Sequence, residues 1–114
     1  MNDTADSPEN QLQAMLRVLW KNNRATIDER VRRLRETQTR LSAGQMDAAS
    51  RKEAESAAHK LAGVLGTFGL PEGSRIASSI ELLFAGGDPL DDQAKSDLAQ
   101  HLNKLEAIIA SKQL

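Results

Sequence analysis

Apolar residues recur along this chain every three or four positions, and no useful stretch alternates them singly. That period is the signature of amphipathic helices. Leu12, Leu16, Leu19 and Trp20 share one side of a first segment, about Glu9 to Lys21, which reads as a short lid or N-terminal extension. Asn22 and Asn23 punctuate it. A second segment, about Thr26 to Ser42, spaces Ile27, Val31, Leu34, Gln38 and Leu41 by four, three, four and three, with Gln38 the one polar break. Thr26 is placed as its N-cap with Glu29 as capping-box partner, and Ala43-Gly44 as its stop. The third segment, about Asp47 to Phe68, carries Ala54, Ala58, Leu61, Leu65 and Phe68; Gly69 suits its C-terminal residue and Pro71 bars continuation. The fourth starts near Pro71, buries Ile76, Ile80, Leu83 and Phe84, and stops at the Gly86-Gly87-Asp88-Pro89 loop signal. The fifth starts at Asp91 or Asp92 and runs on through Leu98, Leu102, Leu105 and Ile109.

These elements predict an all-α fold: an antiparallel up-down four-helix bundle with an additional short N-terminal helix. Residues 1–8, polar and acidic, read as a disordered tail, and 9–114 as a single domain. Composition agrees. Trp20, Phe68 and Phe84 are the only aromatic residues, so aliphatic side chains and alanine must fill the core. The chain has no cysteine, which excludes disulfide scaffolds, thiolate-bound zinc and thiol catalysis. No apolar run suits a bilayer and the N-terminus is no secretory signal, so the expected location is cytoplasmic. The net charge of −1 gives no reason to expect nucleic acid. Its distribution is uneven: Arg24, Arg30, Arg32, Arg33, Arg35 and Arg40 crowd one segment, and Asp88, Asp91, Asp92 and Asp97 another. Solvated helix faces explain both; a basic partner-docking face is the functional reading.

The chemistry concentrates in "AAHKLAGVLGTFG", residues 57–69. At roughly 100° per residue, His59 lies away from Leu61, Leu65 and Phe68, on an open face. Its helix-surface neighbours are Ala62, Gly63 and Gly66. Each interior glycine disfavours the helix by roughly 0.5–1 kcal/mol against alanine. Close helix packing would justify that, and so would close approach of another molecule to His59. His101 has no such surroundings and reads as ordinary surface. A di-metal carboxylate bundle needs Glu-x-x-His, but Ser56 precedes His59 by three. The glycine spacing fits neither a P-loop nor a dinucleotide fingerprint. Composition does not exclude a hydrolase triad, but a bundle of this size offers little cleft; the remaining option is a histidine that is itself the nucleophile, acted on by another protein.

At these residues the sequence resembles histidine-containing phosphotransfer (HPt) domains, whose H-x-L-K-G is matched by His59-Lys60-Leu61-Ala62-Gly63, with Gly69 following. The segment is especially similar to the HPt domain of chemotaxis-type histidine kinases, where "GTFG" also occurs. The resemblance implies that His59 accepts a phosphoryl group and exchanges it with a receiver-domain aspartate. It also implies that Glu81, on the next helix, orients the imidazole. The partners would be a response-regulator receiver and a histidine or hybrid kinase. The domain would have no cofactor or metal of its own and no independent enzymatic activity, Mg2+ coming with the partner. One departure stands out: the family lysine three residues after the histidine is Ala62 here. Lys60 is the preferred substitute for its charge, and Lys52 the other. A non-phosphorylated docking or inhibitory bundle using the same open surface is the alternative. A nucleic-acid binder through the second helix fits the charge poorly.

Overall fold

The computed structural model describes residues 7–112, which form four helices and no strand: α1 Pro8–Ser42, α2 Ala48–Thr67, α3 Pro71–Ala85 and α4 Asp92–Ser111. Each packs against the next, and α1 against α4, so the four close into a helical bundle. The core is aliphatic, as the composition requires. Ile27 and Leu34 of α1, Leu61 and Leu65 of α2, Ile80 and Phe84 of α3, and Leu98, Leu102 and Leu105 of α4 are almost fully buried.

The predicted separate N-terminal helix is corrected. The first two segments are one helix of 35 residues, about 52 Å long. Neither glycine nor proline interrupts residues 9–42, and asparagine disfavours a helix only modestly. Asn23 turns its amide to the helix itself, donating to the Leu19 carbonyl at 2.7 Å. Thr26 is therefore interior and caps nothing, and Glu29 pairs with Arg32 and Arg33. Ser7 is the N-cap, its Oγ accepting from the Asn10 N–H at 3.1 Å, and Pro8 takes the first helical turn. Of the expected disordered tail, residues 1–6 lie outside the described residues; Ser7 and Pro8 belong to the start of α1.

Burial in α1 begins at Trp20. The preceding three turns are an extension rather than a lid. Leu12, Met15, Val18 and Leu19 are exposed there, and Leu16 is partly covered. Trp20 anchors the extension. Its ring meets Phe68 edge-on at 5.2 Å, with Arg24 and the Lys112 ammonium over it at 5.9 and 5.5 Å. Lys112 also donates to the Phe68 carbonyl at 2.9 Å, where α2 ends. One further register correction falls in α1. Thr37 is the buried polar residue, its hydroxyl donating to the Arg33 carbonyl at 2.9 Å, while Gln38 sits at the margin and accepts from Arg35.

The helix ends follow the sequence signals. Gly44 and Gly69 adopt φ of +71° and +74° after α1 and α2. The N–H groups of Gly69 and Leu70 reach back to the Gly66 and Leu65 carbonyls, the paired closure of a Schellman motif. Asp47 and Asp91 cap α2 and α4. The Ser50 N–H holds the Asp47 carboxyl below its ordinary pKa of 3.8. Among the described residues no helix is long and apolar enough to cross a membrane.

Candidate functional site

His59 stands on α2, after Ala57 and Ala58 have turned into the core and before Leu61 does so. Its side chain is 73% exposed, while Glu81, on α3, is 28% exposed. The two meet: His59 Nδ1 lies 2.9 Å from Glu81 Oε2. An ionised carboxylate only accepts hydrogen bonds, so this contact requires the proton on Nδ1. The other ring nitrogen, Nε2, then carries the lone pair, on a side chain that is largely exposed.

The surface beside the ring is low. Gly63 and Gly66 are exposed, and a Cβ built on Gly63 meets nothing within 4 Å. One on Gly66 reaches only ordinary contact with the Ser74 hydroxyl, at 3.5 Å. The chain's own packing therefore explains neither glycine. Ala62 is half-buried at the α2–α3 seam, where its carbonyl accepts from Ser74 Oγ at 2.7 Å. It belongs as much to the core margin as to the open face. The buried glycine is instead Gly73, which the sequence reading passed over. A Cβ there would come within 3.3 Å of Leu65 and Ile108.

Lys60 and Lys52 are exposed and make no hydrogen bond or ion pair among the described residues. The structure does not draw either toward the imidazole. His101 lies on α4, part-exposed. Among the described residues no group of three or more His, Cys, Asp or Glu side chains is arranged to hold a metal ion. The arginine-rich segment is largely neutralised where it stands. Arg24 pairs with Asp28, Arg32 with Glu29 and Glu36, and Arg35 with Glu106 and Asn103. The Arg32 guanidinium pulls the Glu29 carboxyl below its ordinary pKa.

Arg51 makes a cross-helix contact that the sequence pattern does not announce. Its guanidinium donates to the Phe84 and Asp88 carbonyls at 3.0 and 2.6 Å and approaches Leu83 O at 3.5 Å. A side chain that recognises backbone carbonyls 32 to 37 positions away leaves no local sequence pattern.

The chain thus presents, on a four-helix arrangement, an exposed histidine hydrogen-bonded to a carboxylate of the neighbouring helix. Residues 14–111 match the Hpt domain family model, and the chain belongs to that family. Hpt domains are phosphocarriers of phosphorelay signalling, working between two-component kinases and receivers. Searches of curated proteins and of solved structures found no match.

Proposed function

We propose that His59 is the phosphoryl acceptor of this carrier and that Nε2 is the nucleophilic atom. The observation that carries this reading is the His59 Nδ1–Glu81 contact of 2.9 Å beneath an open ring. With Nδ1 protonated, the Nε2 lone pair attacks phosphorus of a receiver aspartyl phosphate. The N–P bond forms, the acyl P–O bond breaks, and the aspartate carboxylate leaves with its electron pair. The imidazole becomes a cation, which Glu81 stabilises across the same hydrogen bond. The reverse step returns the phosphoryl group to a receiver. Transfer of this kind rests on positioning and on neutralising the phosphoryl oxygens. The receiver or kinase supplies Mg2+ in this account, and Lys60 supplies weak assistance from its flexible stem.

Gly63 and Gly66, with Ala62, leave the ring approachable by a partner's backbone. The bundle is read as antiparallel up-down. Arg51 meets Phe84, His59 meets Glu81, and Ala62 meets Ser74, so contacts advance along α2 while they retreat along α3. The relationship to chemotaxis-type domains stays a proposal resting on the segment from Ala57 to Gly69. So does a cytoplasmic location, where a receiver and a histidine or hybrid kinase would be met.

The test is incubation with a phosphorylated receiver and Mg2+. Acid-labile label should appear on the wild-type chain and be absent from His59→Gln. A folded His59→Gln that takes label overturns the assignment. A wild-type chain that binds receiver yet takes none favours a docking module.

A further inference from the structure

We infer that Arg51 is a positioning residue for the imidazole–carboxylate pair: it fixes the end of α3 so that Glu81 meets His59. The inference rests on the reading of His59 as acceptor. Every helix leaves its last four carbonyls without an intrahelical partner. The helices α1 and α2 answer this with a left-handed glycine and backbone bonds back into the last turn. The helix α3 does not. Its C-cap, Gly86, is extended at φ −77° and ψ 165°, and its last turn holds no basic residue.

Arg51, from α2, takes over that role. Its fork spans the Phe84 and Asp88 carbonyls and brings the positive charge that a helix C-terminus favours. Glu81 stands directly before this last turn, so fraying there would release the backbone that aims its carboxylate. Seven residues earlier, Ser74 ties α3 to the Ala62 carbonyl. Glu81 is thus held between two polar ties, both made to the helix that carries His59. Arg51 touches neither His59 nor any transferred group. Its effect passes through the register of α3.

The experiment compares the full wild-type chain with Arg51→Met, which keeps the stem and removes the donors, and with Arg51→Lys. Long-range 1H–15N spectra of the His59 ring report which nitrogen is protonated. The wild type should show the Nδ1–H form. Arg51→Met should lose part of that population and exchange phosphoryl groups with a receiver on the order of 3–10-fold more slowly. Arg51→Lys should fall between the two in both readouts. Arg51→Gln gives the same reading should the methionine variant not fold. A folded Arg51→Met or Arg51→Gln with the wild-type tautomer overturns the inference. A wild-type chain that takes no label defeats the carrier reading instead, and the spectra still decide the role of Arg51.

Discussion

Replacing Gly63 with alanine should make the protein more stable and a worse carrier at once. Gly63 lies inside α2, four residues after His59, and its φ is negative. The added Cβ meets nothing within 4 Å, so no packing penalty offsets the helix preference for alanine. The gain is that preference alone, roughly 0.5–1 kcal/mol. For a domain of this size it raises the melting temperature by about 2–5 °C. The same methyl group stands beside the imidazole, where a partner must bring phosphorus into line with Nε2. A misplacement near 1 Å can slow a reaction by up to about 100-fold, so transfer with a receiver should fall on the order of tenfold. Labelling by a small phosphodonor such as phosphoramidate should change little, because it needs no protein surface. Thermal melts and the two labelling rates, measured side by side, separate these effects. A lower melting temperature refutes the structural half of the reasoning. Unchanged receiver transfer in both Gly63→Ala and Gly63→Leu refutes the functional half.

Gly73→Ala should lack the gain of Gly63→Ala, because its Cβ presses on Leu65 and Ile108 at 3.3 Å; paired thermal melts check it. Trp20→Ala should destabilise by about 3 kcal/mol in urea unfolding, since a buried ring and its edge contact with Phe68 are lost. The depressed pKa of Asp47 makes its contribution complete above pH ~4 and lost as pH falls through the lowered folded value. Asp47→Asn, which caps without a charge, should show a shallower fall in melting temperature across that acid range.

Much of this arrangement was legible in the chain. The period of the apolar residues located the buried faces of α2, α3 and α4 and that of α1 from Ile27 onward, and Gly44, Gly69, Asp47, Pro71 and Asp91 marked helix ends where the structure has them. The unreadable parts have particular physical causes. Asn22 and Asn23 looked like punctuation, yet nothing there forbids helical φ and ψ. The stripe through Trp20, Ile27, Val31 and Leu34 stays in phase across them. Thr37 and Gln38 are adjacent polar residues, and only the packed geometry decides which turns inward. At the site, His59 stood out from its surroundings and Glu81 from the family resemblance, and the two lie together. Arg51 and Ser74 were not, because each addresses a backbone carbonyl on another helix, and carbonyls carry no sequence identity. Ala62 was read as part of a cleared surface, whereas its partial burial comes from the α2–α3 seam.

The most direct test of the central claim is the position of phosphorus on the imidazole ring. After transfer from a phosphorylated receiver, 31P and 15N spectra of the intact chain distinguish Nε2-phosphohistidine from the Nδ1 isomer. Because Glu81 engages Nδ1, the account predicts phosphorus on Nε2 of His59. Phosphorus on Nδ1, or on any other side chain, would contradict it.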